Sequence, residues 1–319
     1  MERPLVPSLA EIEAARDCLL GIATWTPLVK LHLPESPREI YLKLENLQPA
    51  GSFKIRGAGN ALARLDPRPT GVLTASAGNM AQGVALGARR LGVPCTVIAP
   101  ESAAKTKLDA AEALGARVIR VSFDRWWQTF VERRYPGIEG TFVHAFDDVH
   151  VMAGNGTIGL EILEDLPEVE RVYVPWGGGG LTTGIAAALD SVKPGVEIVA
   201  VEIETGAPLG PSLALGTPQT VDHTRSFVDG IGSRTVLPSM LERARGLVDR
   251  TLTVGLQEVA DAVRLLVERQ RVVAEGAGAA SLAAALREAP PEGPVVCVVS
   301  GGNIDTSVLQ RILEGAVPR

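Results

Sequence analysis

From residue 70 the chain alternates short apolar runs with amphipathic stretches. "GVLTAS" at 71–76, "PCTVIAP" at 94–100 and "ARVIRVS" at 116–122 have the length and branched composition of strands. Between and after them, 79–91, 103–114 and 124–134 carry apolar residues at helical spacing. A second series follows "AGNGTIGLEILEDL": a strand at 171–176, a helix at 181–192 and a strand at 197–203. Beyond a Pro/Gly-rich connection near 205–235 the pattern predicts a strand at 246–254 and helices at 256–270 and 276–288. A strand at 294–300 and a last helix complete it. Strands alternating with helices imply parallel sheets joined by right-handed crossovers.

Two such series in 319 residues exceed what one core usually organises. The expected fold is α/β with two lobes: residues 48–148 as a small domain, and 1–47 with 149–319 as a larger one. A cleft between them would hold the site, because ligands of open parallel sheets gather at the carboxyl ends of strands.

Composition narrows the function. Aromatics are only 4 %, so the cores must come from Ala, Val, Leu and Ile; the net charge of -6 and the absence of a basic run argue against nucleic acid. No apolar stretch reaches the roughly 18 residues of a membrane span, and the N-terminus has no signal-peptide apolar region. A cytoplasmic protein without membrane attachment is expected. Cys18, Cys95 and Cys297 are far apart and read as core thiols. His32, His144, His150 and His223 lack metal-ligand spacing and read as surface or satisfied core residues; no metal is expected. Trp126 and Trp127 read as core or lobe-packing residues.

Three segments that follow strands carry the chemistry. In "VYVPWGGGGLTTG", Gly177, Gly178, Gly179 and Gly180 join a strand to a helix, a nest of backbone N–H groups at the positive end of a helix dipole. The run lacks a P-loop Lys-Ser/Thr ending and G-x-G-x-x-G spacing, so a phosphate monoester suits it better than a triphosphate or dinucleotide. A plain glycine turn is the alternative. In "TASAGNMAQG", Ser76 and Asn79 stand where a substrate carboxylate would be received, and where helix caps are also common. In "VVSGGNID", Ser300 ends a strand and Gly301 and Gly302 admit a flat ligand; a simple turn capped by Asn303 or Asp305 is the alternative. Upstream, "NLQPAGSFKIRGAGNAL" sets a lone lysine, Lys54, beside Phe53. A phosphate site, a carboxylate site and an isolated amine beside a ring are what pyridoxal 5′-phosphate requires.

The segments "KLENLQPAGSFKIRGA", "SAGNMAQGVA", "AGNGTIGLE", "VPWGGGGL", "VDGIG", "VVAEGAGAASLAAAL" and "SGGNID" run in order from about residue 25 to 306. Together they resemble the serine/threonine dehydratases (threonine ammonia-lyases) of the fold-type II, tryptophan-synthase β-like enzymes, relatives of serine racemase. The resemblance implies that Lys54 holds the cofactor, Phe53 packs on its ring, Asn79 bonds the ring hydroxyl, Gly177 to Gly180 with Leu181 bind the phosphate, and Ser300 meets the pyridine nitrogen. Ser76, Ala77, Gly78, Asn79 and Met80 would line the substrate. A serine at the pyridine nitrogen favours elimination over chemistry that needs a long-lived carbanion. The implied reaction converts L-threonine or L-serine to a 2-oxo acid and ammonia, with Lys54 taking the α-proton. Homodimeric or higher assembly is implied too, and no regulatory C-terminal domain is expected.

The departures bear on substrate choice. Ala77 stands where serine racemase has the serine that serves the opposite face, which disfavours racemisation. Met80, Asn155 and Trp176 replace the usual His, Gln and smaller apolar residue, which leaves other 3-hydroxy amino acids, such as 3-hydroxyaspartate or phenylserine, and β-replacement open. A non-catalytic phosphometabolite-binding protein is the reading from another class, against which Lys54 speaks. Glu202 matches the first ligand of a cation site in many relatives, but Pro208 falls where a second acid belongs.

Overall fold

A computed structural model describes residues 6–33, 39–65, 68–103, 105–289 and 293–318, leaving aside the side chain of residue 106. The first five residues of the polar N-terminus and residue 104 of the helix expected at 103–114 lie outside these. Ten strands form two sheets. One has six strands: β1 (Leu28–Lys30), β2 (Ile40–Lys43), β7 (Arg171–Pro175), β8 (Glu197–Ile203), β9 (Arg250–Val254) and β10 (Val295–Val298), in the order β1-β2-β10-β7-β8-β9. The other has four: β3 (Val72–Ala75), β4 (Cys95–Pro100), β5 (Arg117–Val121) and β6 (Thr141–Phe142), in the order β5-β4-β3-β6. All pairings are parallel except β1 with β2. The N-terminal hairpin thus belongs to the sheet that the second half of the chain builds.

Helices cover both faces of these sheets. The first half supplies α1 (Leu9–Cys18), α2 (Lys54–Ala63), α3 (Asn79–Leu91), α4 (Lys105–Ala113), α5 (Phe123–Glu132) and α6 (Val149–Asp165). The second supplies α7 (Gly180–Val192), α8 (Leu209–Leu215), α9 (Pro238–Ala244), α10 (Leu256–Leu265), α11 (Gly276–Arg287) and α12 (Thr306–Leu313). Because both faces are covered, β3 and β4 are buried along their whole length and read as continuous apolar runs. Two elements are shorter than expected. Residues 246–247 end a turn and residues 248–249 are irregular before β9, and the helix over 256–270 changes to π-helical winding at Leu266–Gln270.

The long helix α6 ties the two sheets together. It packs on α2 and α7, and its small residues make the approach possible: a Cβ on Gly156 would lie 2.9 Å from the Gly184 carbonyl oxygen, and one on Gly154 would meet the carbonyl of Arg56. Cys95 and Cys297 are buried and free, as expected, whereas Cys18 at the end of α1 is only half-buried. Trp126 is half-buried, but Trp127 lies on the outer flank of α5, 40 % exposed; both rings pack on Phe130, at centroid distances of 5.7 and 5.6 Å.

Candidate active site

Ser8 caps α1 with a reciprocal Glu11 bond, Ser122 caps α5 and Asp148 caps α6. The starts of α2 (after Phe53), α3 (after Gly78), α7 (after Gly179) and α11 (after Glu275) have no side-chain cap. Each leaves first-turn N–H groups unsatisfied and a positive dipole end.

Chain pairing brings these starts together. The Phe53 N–H donates to the Ser300 carbonyl at 3.0 Å, the Gly302 N–H donates to the Gly51 carbonyl at 2.9 Å, and Ser52 bridges to Gly301. This seam sets Lys54 beside the end of β10. The Lys54 ammonium makes one hydrogen bond, to the Ala145 carbonyl at 3.2 Å, and lies 4.7 Å from the centre of the Phe53 ring. Burial pushes its pKa down to about 8, opposed by the charge of Glu275.

The glycine run shares that wall. The residue after Ala145, Phe146, fills the space beside Gly178, and a Cβ on Gly180 would sit 2.8 Å from the Phe146 Cα. Gly179 has φ +92° over the Trp176 ring, and a Cβ on Gly177 would lie 3.2 Å from the Gly230 carbonyl oxygen. Side chains at Gly178, Gly179 and Gly180 would collide with Phe146 or Trp176, and one at Gly177 would be tight. The run is a backbone surface wedged among Phe146, Trp176 and Gly230. Leu181 and Phe53 share one apolar cluster, which places the loop and the lysine's helix side by side.

His144 holds the turn between them. Its Nδ1 accepts the N–H of Asp147 at 2.8 Å and that of Phe146 at 3.3 Å. Burial, with Arg133 adding to it, pushes its pKa down to about 3, so the ring stays neutral and keeps that acceptor. It is a satisfied core histidine, as its sequence context suggests.

In the segment 76–80, Ser76 Oγ accepts the Gly78 N–H at 3.3 Å, and the position where Gly78 would carry a Cβ is open. Ala77 and Gly78 are half-buried beside it. Asn79 does not cap α3. Its amide crosses to Glu275 and Asn303, so Asn303 is not the cap of α12 either; that place belongs to Asp305. The Met80 side chain, expected along the substrate, turns instead into the apolar cluster of the four-stranded sheet with Val84, because the two lie one helical turn apart on the same face of α3. Its main-chain N–H alone stays at the helix start.

Of the other departures, Asn155 is buried and donates to the Gly180 carbonyl at 3.2 Å, supporting the start of α7. Trp176 lies under the loop in a cluster with Met152, Ala200 and Leu209. Glu202 accepts the N–H groups of Leu209 at 2.7 Å and Gly210 at 3.0 Å, capping α8. No cluster of His, Cys, Asp or Glu with metal-site geometry occurs among the described residues.

Glu275 was not legible as a site residue. It is 3 % exposed, burial pushes its pKa up to about 7, and its Oε2 has no hydrogen-bond partner. Ser52 Oγ is likewise buried and unpaired. Unpaired buried polar atoms beside a desolvated lysine, uncapped helix starts and a side-chain-free loop fit a group with an aldehyde, a polar ring and a phosphate.

The family model described as "Pyridoxal-phosphate dependent enzyme" matches residues 19–301. An L-threonine ammonia-lyase of Thermotoga maritima is 45 % identical over 86 % of this chain and 70 % of its own length. A catabolic L-threonine dehydratase of Staphylococcus aureus is 38 % identical, covering 97 % of this chain and 92 % of its own. Among solved structures, maize serine racemase superposes with a TM-score of 0.88 at 28 % identity, covering 98 % of both chains. The processed form of threonine deaminase isoform 2 from Solanum lycopersicum superposes with a TM-score of 0.86 at 30 % identity, over 98 % of this chain and 90 % of that one.

Proposed function

The chain belongs to the pyridoxal-phosphate dependent enzymes, and on that premise we propose that it removes ammonia from L-threonine or L-serine by β-elimination, releasing a 2-oxo acid. The carrying observation is Lys54: an amine with a single hydrogen bond, at an uncapped helix start, on the same wall as a loop crowded against side chains. The neighbours named for threonine breakdown support the choice of substrate class.

When bound, the cofactor supplies an aldehyde that takes up amines and a conjugated ring that withdraws electrons from the substrate Cα. Lys54 is the residue that holds that aldehyde. Lys54 would also serve as the base at the α-proton, and a pKa near 8 leaves about a tenth of it neutral at pH 7. The N–H groups of Gly177 to Leu181, at the positive end of α7, would hold the phosphate. Ser300 would meet the pyridine nitrogen, Asn79 the ring hydroxyl, and Phe53 the ring face. Ser76, Ala77, Gly78, Asn79 and the Met80 N–H receive the substrate carboxylate at the start of α3. Net, the α-proton and the β-hydroxyl leave as water, and hydrolysis of the imine form of the released product takes back one water and frees ammonia, with no change in overall oxidation state.

The division into residues 48–148 and the remainder belongs to the same reading and is supported by the two separate sheets. A cytoplasmic location belongs to the same proposal, and assembly as a homodimer or larger homo-oligomer rests on the family resemblance; light scattering tests the latter.

The deciding experiment is the visible spectrum of the purified protein with an assay for 2-oxo acid release from a panel of 3-hydroxy amino acids. A yellow band lost on borohydride treatment and absent from Lys54→Ala, with threonine or serine as the best substrate, is expected. A protein that stays colourless with the cofactor, or that prefers 3-hydroxyaspartate or phenylserine, overturns the reading.

A further inference from the structure

An asparagine amide has nearly the same shape in either of its two orientations, so its neighbours decide which end faces a ligand. Asn79 is held on both sides. Its Oδ1 accepts from Asn303 Nδ2 at 2.9 Å, and its own Nδ2 donates to Glu275 Oε1 at 2.6 Å. Asn303 is itself fixed, since it also donates to the Ala50 carbonyl at 2.9 Å, and its Oδ1 occupies the space beside Gly51, which has φ +66°. Glu275 is fixed too. Its N–H donates to the Gly301 carbonyl at 3.0 Å, and its Oε1 would lie 2.6 Å from a Cβ on Gly301 and 3.5 Å from one on Gly230.

We propose that Glu275 and Asn303 are positioning residues that lock the Asn79 amide in one orientation, so that Asn79 offers the cofactor's ring oxygen a donor and never its carbonyl. The inference rests on the assignment of Asn79 to that oxygen. Asn303 presents N–H groups to Asn79 and a carboxylate presents only oxygen, so the reversed amide would set donor against donor on one side and acceptor against acceptor on the other. Either charge state of Glu275 serves, because a proton on the unpaired Oε2 leaves Oε1 an acceptor. The charges that face it are Lys107, 4.0 Å from Oε2 and bonded at 2.6 Å to both carboxylate oxygens of Asp229, and the ammonium of Lys54.

The test is a cofactor titration of the apoprotein, followed by the visible band, for the wild type, Asn79→Ala, Glu275→Ala, Glu275→Gln, Asn303→Ala and the double variant Asn79→Ala/Glu275→Ala. Apoprotein melting is recorded for each. Asn79→Ala, Glu275→Ala and Asn303→Ala should each weaken binding about tenfold and shift the band in the same direction, while the double variant binds within about threefold of Asn79→Ala. Glu275→Gln, which keeps an acceptor, should bind within about threefold of the wild type. Losses that multiply in the double variant, or wild-type affinity in Glu275→Ala beside a weakened Asn79→Ala, overturn the positioning role and leave Asn79's own assignment standing. Wild-type affinity and band in Asn79→Ala overturn that assignment, and this inference with it. If Glu275→Ala shows no melting transition, Asn303→Ala takes its place in the cycle with Asn79→Ala.

Discussion

Lys54 and Arg56 stand two residues apart in the first turn of α2, and the protein treats their charges in opposite ways. Arg56 sets its five N–H donors against six acceptors: both oxygens of Glu45, both oxygens of Glu161, Thr157 Oγ1 and the Thr24 carbonyl. Lys43 shares Glu161 at 2.7 Å from the other side, itself fully buried. Although burial favours the uncharged form, Glu45 and Glu161 hold the guanidinium well above its ordinary range, and Arg56 in turn outweighs burial to keep Glu45 below its own. Lys54 has one carbonyl acceptor and a lowered pKa, and the carboxylate that senses it, Glu275, has a raised one. Buried charge that only builds the fold is saturated with partners. Charge left under-satisfied at the same depth is available for chemistry.

The largest expected effect is at Lys54. Lys54→Ala should lower kcat/KM by about 10⁴-fold, since it removes both the cofactor's attachment and the base. The apoprotein should melt no lower than the wild type, because no saturated network is broken. A variant with near wild-type turnover, or one that fails to fold, would put Lys54 in the class of Arg56.

Arg56→Met tests the other side. It leaves Glu45 and Glu161 buried without their cation, which should cost about 3–5 kcal/mol of stability, read from the urea midpoint. If instead the variant is as stable as the wild type and has lost turnover, the guanidinium is not merely structural and the contrast with Lys54 fails.

The glycine loop extends the comparison from side chains to backbone. Gly178→Ala would drive a methyl into the Phe146 ring, which packs against Phe130 and His144 at centroid distances of 5.4 and 4.8 Å. The expected cost is about 1–3 kcal/mol in apoprotein stability, with weaker cofactor binding. Phe146→Leu in the same chain should return part of both. No recovery would mean that the Phe146 ring is not what excludes a side chain at Gly178.

What could be read ahead of the structure follows from the same physics. The alternation of strands and helices is legible because parallel strands buried on both faces leave unbroken apolar runs, as in β3 and β4. The glycine run is legible because its steric requirement is local. Glu275, Asn303 and Phe146 are not, since their significance depends on pairing residues 51–53 with 300–302 and on a side-chain hydrogen bond spanning 196 residues from Asn79 to Glu275. The motif around Met80 points it along the substrate, yet the phase of α3 decides that its side chain goes to the core with Val84. The π-helical end of α10 leaves no mark on the spacing of apolar residues in 256–270.

The smallest expected effect separates the two kinds of charge by their response to pH. Glu275 is raised from 4.5 to about 7 in the folded apoprotein, so between those values the native state holds a proton that the unfolded chain has given up. Its contribution to stability is full below pH 4.5 and is lost as the pH rises through 7. Lys54, lowered from 10.5 to about 8, acts only above that window, where stability recovers as the pH rises. Glu275→Gln cannot titrate, so its urea-derived stability relative to the wild type should climb across the lower window, by about 1–3 kcal/mol. Glu45, held below its ordinary value by Arg56, has the opposite sign: its contribution is present above 4.5 and fails as the pH falls. Parallel stability curves for Glu275→Gln and the wild type from pH 4.5 to 7.5 would show that the Glu275 charge is as well compensated as that of Glu45, and the distinction between the two sites would collapse.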